Sequence, residues 1–329
     1  MWKYLTKINK NLVYAIPTFL LGGLFFGSVV DPNTVQKMKA LIVPFTLLMV
    51  YPMMVTLNIQ HLRKGLQPRI QLSALAINFA VIPFVAYFLG RVCFADQPYM
   101  ALGLLLASLL PTSGMTISWT GFAKGNMGAA INMTVIGLTF GSIITPFYVS
   151  GLLGAVVEVN FLKVIQQIFF IVFLPMGLGY LTRQALLKKY TQAEFKERLA
   201  PRFPALSTIG VLGVVFVAMS LKARAILADP GNLLLIFLPL IFLYLANFTI
   251  STVVGRLFFN RADGIALVYG TVMRNLSIAL AIAINAFGPA GADAALVIAL
   301  AYIIQVQSAA WYVKCTDIFF GVLAVEEAA

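Results

Sequence analysis

Acidic side chains are scarce in this sequence, and none falls in the middle of an apolar run. The 329 residues include 11 Asp and Glu. Asp31, Asp96, Glu158, Glu194, Glu197, Asp229, Asp263, Asp293, Glu326 and Glu327 stand between runs, at run ends or in the tail, and Asp317 lies near the end of the last run. A carboxylate-based proton relay or sodium site inside a membrane therefore lacks its usual ligand. Cysteine is rarer still: Cys93 and Cys315 are the only two. They are expected near opposite membrane faces, which excludes a disulfide between them and leaves no thiol cluster for structural zinc or an iron–sulfur centre. The single histidine, His61, sits beside Arg63 and Lys64 and reads as a solvated loop residue. With no mid-run His, Cys or carboxylate constellation, the pattern does not suit an enzyme, and no metal or cofactor is implied.

Charge as a whole is low, 10% of residues, against 61% hydrophobic and a mean hydropathy of +0.94. Apolar runs of about 20 residues recur, the length of membrane-spanning helices rather than of barrel strands. The chain reads as an all-α integral membrane protein with ten spans, at 12–30, 38–58, 71–94, 99–121, 127–153, 162–182, 205–226, 231–257, 263–287 and 292–320. The first follows Lys3, Lys7 and Lys10 as a secretory signal would, but it is long and lacks a small-residue cleavage site.

The net charge of +12 is topological. An N-terminus in the cytoplasm puts Lys3, Lys7, Lys10, Arg63, Lys64 and the cluster from Arg183 to Arg202 inside. Lys37, Lys39, Arg91, Lys163, Lys222 and Arg224 are then outside. That asymmetry gives both termini cytoplasmic, in the inner membrane, with the bilayer and not nucleic acid as the partner of the basic residues. Oligomeric state is left open.

One long polar connection divides the runs five and five, so the second half is expected to run inverted relative to the first. The boundaries are 1–183 for the first repeat and span 6, 184–204 for a cytoplasmic linker, and 205–329 for the rest of the second repeat. "AINFAVIP" (76–83) is echoed by "LANFTIST" (245–252). The fourth run of each half is interrupted near its middle, by "LLPTSGMTISW" (109–119) and "GTVMRNLSIA" (270–279). A helix broken within a membrane exposes N–H groups at one new end and carbonyls at the other, which need water, a solute or polar side chains. The alternative for span 4 is a simple proline kink at Pro111 with hydroxyls bonded back to their own helix.

Thr112, Ser113 and Thr116 in one break and Arg274, Asn275 and Ser277 in the other are the candidate substrate-binding residues. An arginine at bilayer depth is costly unless paired or facing water. Arg274 has three roles open to it: capping exposed carbonyls, gripping an oxyanion, or replacing a bound cation. Asn78, Asn132, Asn247, Gln305, Gln307 and Ser308 are further mid-run polar residues. Gly137 and Gly141 form a G-x-x-x-G read as helix packing, and methionines read as filler.

The stretches "LLMVYPMMVTLNIQHL" (47–62), "AINFAVIPF" (76–84), "ISWTGFAKGN" (117–126), "LPMGLGYLTRQ" (174–184), "ERLAPRFPALSTIG" (197–210) and "RNLSIALAIAINAFGPAG" (274–291) resemble the bile acid:sodium symporter superfamily, nearest its arsenite permease branch. The resemblance implies a panel of spans 1, 2, 6 and 7 and a core of spans 3, 4, 5, 8, 9 and 10, with broken helices 4 and 9 crossing at the solute. It also exposes departures. The metalloid-binding cysteine of the permeases corresponds to Thr112, their span 9 glutamate to Ser277, and a span 10 acidic residue to Gln305. Sodium ligands of the coupled relatives fall at Asn78, Thr116, Ile117, Ala130, Thr134, Gly270, Thr271, Met273 and Arg274. A glutamate there has become Gly270, an amide Ile117 and a glutamine Arg274. The resulting expectation is a sodium-independent transporter of a small anion or oxyanion, with Arg274 as a tethered cation. Arsenite or antimonite efflux and a non-transporting receptor on the same fold are the alternatives.

Overall fold

The computed structural model describes residues 5–6, 8, 11–56, 67–112, 114–228, 231–288 and 290–321. Lys3, Lys7, Lys10, His61, Arg63, Lys64, Ser113, Asp229, Glu326 and Glu327 lie outside the described residues. The main helices are α1 (Leu12–Val29), α2 (Pro32–Thr56), α3 (Pro68–Cys93), α4 (Pro98–Leu109), α5 (Gly114–Phe122), α6 (Met127–Leu153), α7 (Phe161–Leu187), α8 (Arg202–Ala228), α9 (Gly231–Phe258), α10 (Arg261–Val272), α11 (Leu276–Phe287) and α12 (Gly291–Phe320). No strand is present among the described residues, so the architecture is all-α.

Among the described residues seven segments are long and apolar enough to cross a membrane: α2, α3, α6, α7, Gln192–Arg224, Leu233–Phe258 and α12. The 27 residues of α6 reach about 40 Å at 1.5 Å per residue, more than the roughly 30 Å of a bilayer's hydrocarbon core. Tyr14–Val29, α4 and α11 are shorter apolar helices. The runs expected at 99–121 and 263–287 are each two helices. With 12, 9, 12 and 12 residues, α4, α5, α10 and α11 each reach no more than about 18 Å, roughly half the hydrocarbon depth.

Among the described residues three helical stretches widen into π-turns that the apolar pattern does not reveal: Ala76–Val81 in α3, Phe169–Phe173 in α7 and Phe195–Leu199 in the connection before α8. Each ends two residues before a proline, at Pro83, Pro175 and Pro201. A proline inside a helix lacks the N–H that would bond four residues back, and its ring crowds that carbonyl. Widening the preceding turn accommodates the ring. In α3 the carbonyl four residues before Pro83 is that of Phe79, and it accepts instead from the Tyr148 hydroxyl on α6.

Helix ends follow ordinary capping chemistry. Asn126, Asn160, Asn260 and Asn275 accept from backbone N–H groups at the starts of α6, α7, α10 and α11. In the connection between α7 and α8, Thr191 and Glu194 form a reciprocal capping box. The Glu194 carboxylate accepts from the Thr191 N–H at 2.9 Å and its hydroxyl at 3.1 Å, which holds its pKa below the usual carboxylate range.

Packing divides the helices into two groups. In one, α8 lies against α1 and α2, and α7 against α2. In the other, α12 packs on α4, α9 and α11, while α3 packs on α4 and α9 on α10. Small residues permit close approaches: a Cβ on Gly103 of α4 would come within 2.6 Å of the Ala294 carbonyl on α12, and one on Gly210 of α8 within 2.5 Å of the Phe45 carbonyl on α2. Outward faces carry exposed Leu234, Leu238, Ile241, Phe242 and Leu245, a surface suited to lipid.

Candidate functional site

The two interruptions meet. Pro111, between α4 and α5, forms an isolated antiparallel bridge with Arg274, between α10 and α11. The Thr112 N–H donates to the Met273 carbonyl at 2.7 Å, and the Asn275 N–H donates to the Leu110 carbonyl at 2.7 Å. In this register Pro111 and Arg274 are the pair that exchanges no hydrogen bonds with each other. That is the place where proline fits, since no N–H is required of it.

The freed backbone groups of Arg274 find one partner. The Arg274 N–H donates to Gln305 Oε1 at 2.8 Å, and Gln305 Nε2 donates to the Arg274 carbonyl at 3.1 Å. A side-chain amide on α12 thus acts as a third strand one residue long. The Tyr244 hydroxyl of α9 donates to the same Oε1 at 2.8 Å, fixing the amide's orientation.

The first break is a full departure from helix, not a kink. Thr112 has φ +66°, a left-handed conformation strongly disfavoured for a β-branched residue. Its N–H bond across the bridge holds it there, and its hydroxyl lies 2.6 Å from the Pro111 carbonyl and 3.2 Å from that of Thr134 on α6. The G-x-x-x-G of α6 makes room: a Cβ on Gly137 would sit 3.1 Å from Thr112 Oγ1, and one on Gly141 2.9 Å from Pro111 Cδ.

Arg274 is 3% exposed. Its Nη1 donates at 2.9 Å to the Ser108 carbonyl, in the last turn of α4, where unsatisfied carbonyls carry the negative end of the helix dipole. Its Nη2 is buried with no hydrogen-bond partner among the described residues. The carbonyls ending α10 are capped differently. Asn78 Nδ2, in the π-turn of α3, donates to the Gly270 carbonyl at 3.1 Å, and Asn247 Nδ2 of α9 donates to that of Thr271 at 2.9 Å. These are the two asparagines of the repeated Asn-Phe pattern. Ser251 links to both Asn247 Oδ1 and Thr271 Oγ1, at 3.3 and 2.6 Å.

Of the other expected site residues, Asn275 caps α11 through the Ile278 N–H at 3.3 Å. Ser277 is tied to the Tyr302 hydroxyl at 2.6 Å. Thr134 bonds back to the Ala130 carbonyl at 2.7 Å, and Thr116 is fully buried in α5. Met273 is buried beside the bridge and offers it only its carbonyl. A Cβ on Gly270 would overlap Met133 Sδ, so a side chain there requires Met133 to move. Ser108, Met133, Tyr244, Ser251 and Tyr302 are participants that the sequence did not single out. Ser108 contributes a backbone carbonyl, for which no side-chain signal exists. The tyrosines look like packing in an apolar run.

An apolar cavity of about 200 Å³ lies elsewhere, between α2, α8, α11 and α12, lined by Ile42, Val43, Ala218, Leu221, Ile284 and Ala295 among others. Beside it Lys222 of α8 pairs with Asp293 of α12 at 2.5 Å. The bridge is the better candidate site, because the polar convergence is there and the cavity's side-chain polarity is limited to Asn285.

Comparisons with known proteins agree with a membrane carrier. A model of the Sodium Bile acid symporter family matches residues 43–229, a stretch that includes the first break but stops before Arg274. The chain is 26% identical over 233 residues to an uncharacterized protein, YbaS, of Bacillus subtilis, covering 70% of this chain and 74% of that protein. It is 22% identical over 233 residues to the arsenical-resistance protein Acr3 of Corynebacterium glutamicum, covering 67% and 63%. Over 185 residues it is 25% identical to sodium/bile acid cotransporter 7 of Xenopus tropicalis, covering 54% and 52%. The family match extends over more than half of an all-α membrane protein, and the chain belongs to the Sodium Bile acid symporter family, in the group that resembles Acr3.

Proposed function

We propose that this protein is a secondary transporter of a small anionic or oxyanionic solute, working by alternating access without sodium coupling. The observation that carries the reading is Arg274: a buried guanidinium with one nitrogen committed to a helix-end carbonyl and the other unpartnered among the described residues. A buried charge without a counter-charge is costly, and a visiting anion offsets that cost. The substrate-binding set is Arg274, Asn275, Thr112, Ser113, Thr116 and Ser277.

Loss of sodium coupling is supported by the region of Asn78, Gly270, Thr271, Met273, Thr134 and Gln305. The amides and hydroxyls there are largely occupied by helix-end carbonyls and by each other, and Met133 fills the space next to Gly270. Ten spans in two inverted repeats are consistent with the local two-fold of the Pro111–Arg274 bridge and with the pair Asn78 and Asn247. The two packing groups suit a panel of α1, α2, α7 and α8 moving against a core of the rest. The distribution of basic residues supports cytoplasmic termini in the inner membrane.

The test is anion flux into proteoliposomes with sodium replaced by potassium. Flux indifferent to the replacement and lost in Arg274→Gln supports the reading. Flux that requires sodium, or that survives the substitution, contradicts it. Efflux of arsenite or antimonite is a second reading, favoured by the similarity to Acr3. Against it, the Thr112 hydroxyl stands where the permeases' thiol is expected and lies close to the carbonyls of Pro111 and Thr134. Arsenite resistance gained by Thr112→Cys and absent before it would place the divergence at that residue.

A further inference from the structure

Four helix ends converge on the bridge, and their charges can be added. The C-terminal ends of α4 and α10 each bring about half a negative charge, and the N-terminal ends of α5 and α11 each bring about half a positive one. The four contributions cancel. The negative ends are also satisfied within the protein: the Ser108 carbonyl by Arg274, that of Leu110 by the Asn275 N–H, and those of Gly270 and Thr271 by Asn78 and Asn247. Among the described residues Arg274 is the only charged side chain in the buried interior, so the crossing carries a single positive charge.

Resting on the anion reading of Arg274, we infer that the site selects solutes by charge and accepts one negative charge per molecule. A monoanion makes the occupied crossing neutral. A dianion leaves one negative charge buried against two capped carbonyl ends, and a neutral solute leaves the guanidinium uncompensated. Nη1 spends one of its two N–H groups on Ser108, and Nη2, with no partner among the described residues, is the nitrogen left to meet the anion. The inferred solute class is therefore a small monoanion that accepts from the free side of the guanidinium.

Perchlorate and sulfate test this, being tetrahedral oxyanions that differ by one charge. Phosphate adds a probe whose charge changes from one to two as pH rises while its tetrahedral shape is kept, which separates charge from shape. Affinity is read from the thermal stabilisation of the full-length protein in detergent, for wild type and Arg274→Gln. The expected result is perchlorate binding at least about a hundredfold tighter than sulfate. Phosphate affinity should fall about tenfold per pH unit above its second ionisation, with nitrate flat over the same range. Sulfate binding as tightly as perchlorate, or phosphate affinity constant across that ionisation, overturns the charge rule while leaving the anion site. Absence of any anion effect, or one retained in Arg274→Gln, overturns the anion site itself and the charge rule with it.

Discussion

The two helix breaks share one bridge but are held together by different means. The break between α10 and α11 is served from outside: Asn78, Asn247 and Gln305, from three neighbouring helices, occupy its carbonyls and its one free N–H, and Asn275 caps the helix that follows. The break between α4 and α5 depends on its partner. The Ser108 carbonyl is capped by the Arg274 side chain, that of Leu110 by the Asn275 N–H, and the left-handed Thr112 is held by the Met273 carbonyl. One break is scaffolded, and the other leans on it. The one buried charge among the described residues thus sits on a residue whose backbone N–H and carbonyl are both held by Gln305.

Five substitutions sharpen that asymmetry. Gln305→Leu should have the largest effect, because it removes three hydrogen bonds at once and strands both backbone groups of Arg274. A loss of about 3 kcal/mol or more is expected from the denaturation midpoint in detergent. Next, Asn247→Leu should cost about 2 kcal/mol through the orphaned Thr271 carbonyl and the broken Ser251 link. Asn78→Leu should cost less, since Asn78 Oδ1 already lacks a partner and is relieved by the change. Equal losses for the two asparagines would mean that the second break is not held as described.

Gly141→Ala brings a methyl group against the rigid Pro111 ring and should cost about 1–2 kcal/mol, acting on the first break only. The smallest effect belongs to Lys222→Ala. Its partly exposed pair with Asp293 joins the two packing groups away from the bridge, and its removal should change stability by no more than about 1 kcal/mol without altering anion affinity.

What could be read in the sequence was whatever is expensive in an apolar run. Arg274 and Pro111 announced themselves because a charge and a missing N–H each carry a cost that must be met locally, and the all-α membrane architecture followed from run length. The asparagines of the repeated Asn-Phe pattern were visible as polar residues, but their targets were not, since a backbone carbonyl has the same signature at every position. Tyr244 and Tyr302 were hidden for a related reason: an aromatic ring is apolar in pattern whether or not its hydroxyl is used. Thr112 misleads outright, because a left-handed position ordinarily selects glycine or asparagine. The π-turns had a signal in Pro83, Pro175 and Pro201, but hydropathy alone passes over it.

The most direct test of the central claim, that the charge of Arg274 is kept for an anion, is the melting of wild type and Arg274→Met with and without a saturating monoanion. At 100 times its dissociation constant the anion should stabilise wild type by about 2.7 kcal/mol. The account predicts that Arg274→Met loses this response while its unliganded midpoint stays close to that of wild type, because relief of a costly buried charge offsets the loss of the Ser108 cap. A variant that melts well below wild type yet still responds to the anion would show that the arginine is structural and that the solute is held elsewhere.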